Sequence, residues 1–73
     1  MKKENVYYVF TVEPHNWWRC VMYTTERGKP EIVHIATTTE DRKEGERFCE
    51  KHADAHIEWE RSDPMMSIGR VIR

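Results

Sequence analysis

The sequence predicts a small α+β domain: an antiparallel sheet of three to four strands with one helix packed on one face, in the order β-β-β-α and followed by a short β-strand. Two observations predict this fold. Three short segments rich in β-branched and aromatic residues come before residue 37, and one helical pattern follows them. A chain of 73 residues also leaves room for a single domain with a small core.

The three predicted strands span residues 6–12, 17–23 and 32–36. Residues 13–16 separate the first two strands, because Pro14 fixes its own φ and Asn16 accepts turn conformations. Residues 26–30 separate the second and third strands, where Gly28 can take a positive φ. Both connections therefore predict hairpins.

The register of the first hairpin decides which side chains share a face. If Val12 lies opposite Trp18, the side-chain period of two defines two faces. The predicted core face carries Val6, Tyr8, Phe10, Val12, Trp18, Cys20 and Met22, with Val33 opposite Met22 and Ile35 opposite Cys20. The predicted exposed face carries Tyr7, Trp17, Arg19, Tyr23, Ile32 and His34.

A helix is predicted after the third strand. Residues 37–41 supply threonine hydroxyls for an N-cap and then acids for the first turn. The stripe that recurs at helical spacing and should pack on the sheet consists of Gly45, Phe48, Cys49 and His52. A close approach to the sheet would compensate the low helix propensity of Gly45, and the helix should end near Asp54.

The C-terminal part offers weaker signals. Residues 57–61 alternate apolar and acidic side chains, which favours a strand, although a helix continuation also fits. Residues 62–73 contain Pro64 and Gly69, which argue against a helix, but they are too apolar for a solvated tail. We therefore expect a domain at 1–61 and a C-terminal tail at 62–73 that forms an edge strand or orders on a partner.

Composition excludes several classes of protein. The net charge of −1 gives no global basic field of the kind that marks most non-specific nucleic-acid binders, which leaves only a local basic patch for such a role. No apolar stretch approaches the roughly 18 residues of a membrane span, and residues 1–5 do not resemble a secretory leader. Cys20 and Cys49 should lie on elements that pack together, and we expect reduced thiols in a cytoplasmic protein.

The histidines and cysteines suggest two hypotheses, a zinc site and an active site. Cys49, His52 and His56 would fall within about 60° on a helix, and a thiolate with two imidazoles suits zinc. Their spacing is not that of structural zinc sites, so we expect no metal and no cofactor. No catalytic motif accompanies the histidines, and we expect no enzymatic activity.

The predicted exposed face points to protein binding, because Trp, Tyr and Arg are enriched at binding hot spots. An acidic helix would supply a second, charged surface. The expected contact residues are Tyr7, Trp17, Arg19, Tyr23, His34, Glu44 and Glu50. In size and lack of motifs the chain is similar to the small accessory proteins with which phages block host or defence machinery, including CRISPR inhibitors. That resemblance implies a stoichiometric inhibitor; a homodimer through the same face is an alternative.

Nucleic-acid binding is the second hypothesis. The aromatic face with Arg19 could stack bases, while Lys2, Lys3, Arg27 and Lys29 could contact phosphates. Three strands followed by a helix, over about fifty residues, resemble the arm-type DNA-binding domains of tyrosine recombinases, which implies a sheet inserted in a groove. Residues 40–60, however, hold eight acids against four Lys or Arg and would repel a phosphate backbone.

Overall fold

The structure is a computed structural model that describes residues 5–12, 17–25 and 28–72. Its elements are β1 (Asn5–Thr11), β2 (Trp18–Thr24), β3 (Glu31–Thr39), α1 (Arg42–Ala53), β4 (His56–Asp63) and β5 (Met66–Ile72). The α+β class is confirmed, whereas the predicted strand number was too low, because the described residues form a five-stranded sheet. The first predicted connection, residues 13–16, lies outside the described residues, as do residues 26–27 of the second, in which Gly28 takes a positive φ of 72°.

The sheet is antiparallel throughout, in the order β3-β2-β1-β5-β4. The strand predicted for residues 57–61 is confirmed within β4. The expected position of residues 62–73 at a sheet edge was wrong, because β5 lies between β1 and β4 and pairs with both. The alternation of its side chains explains why β5 can lie inside the sheet. Ile68 and Met66 face away from the helix, while the small residues Ser67 and Gly69 fit beneath it.

The helix begins two residues after the threonine run. Asp41 is its N-cap, and the Glu44 backbone N–H donates to Asp41 Oδ1 at 2.8 Å. The predicted threonine caps were therefore wrong: their β-branched side chains favour the extended backbone of β3. The predicted end is confirmed, since α1 stops at Ala53 and Asp54 follows in the left-handed conformation with φ 52°.

Gly45 sets how closely the helix approaches the sheet. A Cβ atom at this position would lie 2.7 Å from Val9 Cγ1 and 3.0 Å from Cys20 Sγ. The Cys20 thiol also donates to the Gly45 carbonyl oxygen at 3.4 Å. The close approach expected for Gly45 is thus confirmed, and it places the helix directly over β1 and β2.

The register predicted for β1 was wrong by one residue. Thr11 rather than Val12 lies opposite Trp18, so Tyr7 and Val9 face the helix while Tyr8 and Phe10 face away. The prediction for β2 was right about its faces, and Met22 pairs with Val33 as expected. A register shift between Trp18 and Val21 pairs Cys20 with Ala36 instead of Ile35.

The core lies between α1 and the sheet. Its buried members are Tyr7, Val9, Cys20, Cys49 and Ile57, with Trp18, Met22, Ile35, Ala53, Trp59 and Val71 packed against them. The core places predicted for Phe48 and Phe10 were wrong. Phe48 is 44% exposed, because the close contact at Gly45 and Cys49 turns the neighbouring helical position outward, and Phe10 follows the corrected register of β1.

Candidate protein-interaction surface

The helix covers one face of the sheet, and no other described element covers the second face. We call this second face the open face and define it by the side chains that alternate with the core positions. Its members are Val6, Tyr8, Phe10, Arg19, Val21, Tyr23, Ile32, His34, Glu58, Glu60, Asp63, Met66, Ile68 and Arg70. The open face is apolar at its centre and charged at its margins.

Three rows of paired residues cross the open face, two of them from β3 to β4 and one from β2 to β4. The central row is His34, Val21, Tyr8, Ile68 and Glu60. The Arg19 row is Arg19, Phe10, Met66 and Asp63, and the Arg70 row is Ile32, Tyr23, Val6, Arg70 and Glu58. Every row therefore ends in a carboxylate on β4, whereas the β2 and β3 side carries Arg19 and His34.

A shallow groove of about 540 Å³ runs over the upper part of this face. Tyr8, Phe10, Val21 and Met66 line its floor, and His34 and Asp63 lie at opposite sides. The remaining residues that line the groove are Thr11, Val12, Ile32 and Met65. A concave apolar floor with polar groups at its border is the usual form of a site that receives an apolar side chain or ligand.

Tyr7 does not belong to this surface. Its side chain is 1% exposed, and its hydroxyl and His52 Nδ1 lie 3.0 Å apart in a hydrogen bond. The two rings also meet edge to face, with centroids 5.8 Å apart. The predicted exposure of Tyr7 was wrong, because the register shift exchanges it with Tyr8, which takes the place on the open face.

The other expected contact residues divide between two sides of the molecule. Arg19 and His34 are exposed on the open face, and Tyr23 is half-buried there. Trp17 is 49% exposed just before β2, where its carbonyl oxygen accepts a hydrogen bond from the Thr11 hydroxyl at 2.8 Å.

Two of the expected contact residues, Glu44 and Glu50, lie on α1, on the side opposite to the open face. Glu44 belongs to the first turn of the helix, and its backbone N–H binds the cap. Glu50 Oε2 accepts a hydrogen bond from Trp59 Nε1 at 3.4 Å. The structure therefore does not bring these acids together with the aromatic residues in one site.

Glu46 is a buried carboxylate of α1 that sequence reasoning did not single out. It is 5% exposed, and its oxygens accept from Arg61 Nε at 3.0 Å, from Arg61 Nη2 at 2.6 Å and from the Ser67 hydroxyl at 2.8 Å. The hydrogen bond with Glu46 raises the pKa of the Arg61 guanidinium. The only sequence signal was its place next to Gly45 on the helix. This network fastens α1 to β4 and β5.

The residues considered for zinc do not converge. Cys49 is fully buried beside Cys20, His52 binds Tyr7, and His56 is exposed at the start of β4. Within the described ranges no group of three or more His, Cys, Asp or Glu side chains could hold a metal ion. The hydrogen bond with Cys20, together with burial, raises the pKa of the Cys49 thiol, which therefore stays protonated.

Arg42 ties the start of the helix to the β4–β5 turn. Its guanidinium carbon lies 4.9 Å from the centroid of the Trp18 ring, and its Nη2 donates to the carbonyl oxygens of Asp63 and Pro64. This cation–π contact lies on the helix side of the sheet. Trp18, which was expected in the core, is thus packed against the core and capped by Arg42.

Comparison with known proteins gives no relative for this chain. No protein-family model, no curated protein and no solved structure matches it. In the described part of the chain, no helix has both the length and the apolar character required to cross a membrane.

Proposed function

We propose that this chain is a small non-catalytic protein-binding module and that the open face is its contact surface. The observation that carries the proposal is the pair Tyr8 and Phe10 at the centre of the sheet, on the face that no described element covers. Val6 and Val21 on this face are already buried, but Tyr8, Phe10, Met66 and Ile68 are half-buried and Ile32 is exposed, which leaves apolar area that monomeric proteins normally bury. Binding of a protein over this face would remove that area from water.

The layout of the open face suits a protein partner. Aromatic side chains at the centre, with Arg19 beside Phe10, are the residue types that dominate binding energies. Charges lie at the border, on Glu58, Glu60 and Arg70, as they do in the rims of interfaces. The shallow groove lined by Tyr8, Phe10, Val21 and Met66 offers a place for an anchoring side chain of the partner.

The buried reactive groups support a non-catalytic role. The Glu46 carboxylate is fully occupied by Arg61 and Ser67, and the Cys49 thiol is buried and protonated. Neither group reaches solvent as a general base or nucleophile must. Such a module needs no cofactor and acts by covering part of its target, as a stoichiometric inhibitor does. The two buried free thiols suit a reducing compartment, so we place the protein in the cytoplasm.

A photo-crosslinking amino acid at position 8 tests the proposal, with the same amino acid at Lys43 as the matched control. Both positions are accessible, but Lys43 lies on the exposed side of α1. We expect a defined protein adduct from position 8, lost when Ile68→Asp is added, and none from position 43. Adducts from position 43 alone would move the binding surface to the helix.

One observation favours nucleic-acid binding as a second candidate. Phe10 pairs with Arg19, and Tyr8 and Tyr23 share their face, so three aromatic rings and a cation lie where bases could stack. The carboxylates of Glu58, Glu60 and Asp63 border the same face and would repel phosphates. We expect no oligonucleotide binding at about 0.15 M salt. A salt-sensitive gel shift that Arg19→Glu abolishes would favour this candidate.

A further inference from the structure

We propose that the partner of the open face is a second copy of this chain, stacked sheet on sheet about a two-fold axis that runs along β1. This inference rests on the proposed function and names its partner. In the arrangement, the β3 edge of each copy lies over the β4 edge of the other, and the two β1 strands cross at the axis.

The central row supports a two-fold dimer, because the row is complementary to a second copy of itself turned end to end. It reads His34, Val21, Tyr8, Ile68 and Glu60, with an imidazole at one end, a carboxylate at the other and apolar groups between. A two-fold axis through Tyr8 reverses the row. His34 then faces Glu60 of the second copy, Val21 faces Ile68, and the two Tyr8 rings meet on the axis.

The other two rows also place complementary groups opposite each other, although the Arg70 row carries its cation on β5, next to Glu58. In the Arg19 row, reversal brings Arg19 over Met66 and beside Asp63 of the second copy. In the Arg70 row, reversal brings Arg70 over the Tyr23 ring of the second copy, a cation–π geometry. Apolar side chains, Val6, Tyr8 and Phe10, occupy the axis itself, so no like charges meet there.

Charge also selects this two-fold axis over the other one that stacks two sheets. An axis perpendicular to the strands would place β4 over β4 and bring Glu58 and Glu60 against the same acids of the second copy. Like charges placed opposite each other disfavour an interface. The axis along β1 instead pairs the acidic β4 edge with the edge that carries His34.

The available area is sufficient for a stable dimer. Five strands about 4.8 Å apart and seven residues long at about 3.3 Å per residue cover roughly 550 Å² in projection. Two copies together bury at least about 1,100 Å², and the relief of the side chains brings this into the standard range of interfaces. Aligned stacking also suits two twisted sheets, which pack about 10 Å apart.

An exchange of charges between positions 34 and 60 tests the arrangement. Dimerisation of the purified chain is measured by sedimentation velocity at concentrations up to about 200 µM. We expect a dimer. His34→Glu should weaken it about fivefold, since it places two carboxylates opposite each other, and Glu60→Lys should weaken it because the His34 imidazole loses its acceptor. The double variant should restore the affinity, because each pair then joins a carboxylate to an ammonium group. Lys43→Glu, on the helix side, should leave the dimer unchanged.

The outcomes separate this inference from the proposed function. If the chain stays monomeric but its position-8 crosslinker captures one foreign protein, the proposed dimer is overturned and the protein-binding role of the open face is kept. A dimer that is insensitive to Ile68→Asp overturns the second copy as occupant of the open face, and if position 8 also gives no protein adduct, the proposed function is overturned as well. A dimer that Ile68→Asp disrupts, but that the double charge variant fails to restore, overturns the two-fold arrangement proposed here.

Discussion

The two faces of the sheet differ in how their side chains are partnered. On the helix side, two buried polar side chains have defined partners: Tyr7 binds His52, and Glu46 binds Arg61 and Ser67. On the open face, Tyr8 and Phe10 have only their neighbours in the sheet, and the charges lie at the margins. The comparison teaches that stability in this chain comes mainly from one face, which leaves the other free for binding.

The neighbouring tyrosines of β1 give the largest expected contrast. Tyr7→Ala should lower the free energy of unfolding by about 3–5 kcal/mol, because it empties the core and removes the His52 hydrogen bond. Tyr8→Ala should cost much less in the monomer, since that ring is already partly in water. Urea unfolding at a concentration where the chain is monomeric measures both. A larger loss for Tyr8→Ala would invert the two faces.

Removal of the buried carboxylate should have the next largest effect. Glu46→Ala should cost about 2–3 kcal/mol, because it leaves the fully buried Ser67 hydroxyl without its acceptor and frees Arg61 from the helix. Glu58→Ala, at an exposed position of β4, is the control and should change stability little. Equal midpoints for the two variants would show that the Glu46 network does not hold α1 on the sheet.

Gly45→Ala should have two opposing effects on the free energy of unfolding. Alanine raises helix propensity by about 1 kcal/mol, but its Cβ would lie 2.7 Å from the buried Val9 side chain. We expect the clash to dominate and the variant to lose about 1–2 kcal/mol in thermal unfolding. Lys43→Ala, on the exposed side of the same helix, should be neutral. A stabilised Gly45→Ala variant would mean that the helix can move away from β1 at little cost.

Much of the fold was accessible from the sequence because it depends on local chemistry. Strand segments, the helix, its end near Asp54 and the close approach at Gly45 follow from residue type and spacing alone. The place of β5 could not follow, because the pairing of Phe10 with Met66 and of Val6 with Arg70 is a long-range choice among free strand edges. Pro64 and Gly69 revealed only that the segment is not a helix.

The candidate site was predictable in part, and one ambiguous register explains the errors. The first strand carries apolar side chains on both faces, so its alternation cannot decide between Tyr7 and Tyr8. β2 was less ambiguous, because Arg19 marks its exposed side, and the places of Arg19, Tyr23 and His34 follow from it. The burial of Glu46 depends on Arg61 and Ser67, which lie 15 and 21 positions away in sequence.

The inner position of β5 has a kinetic consequence. Val6 pairs with Arg70, 64 positions along the chain, so the central strand completes its ladder only after a long loop has closed. Topologies that depend on such distant pairs fold slowly. Until β5 docks, β1 and β4 both present unpaired backbone edges, and β1 is apolar on both sides. A chain in which β5 has not docked would therefore expose two unpaired strand edges to aggregation.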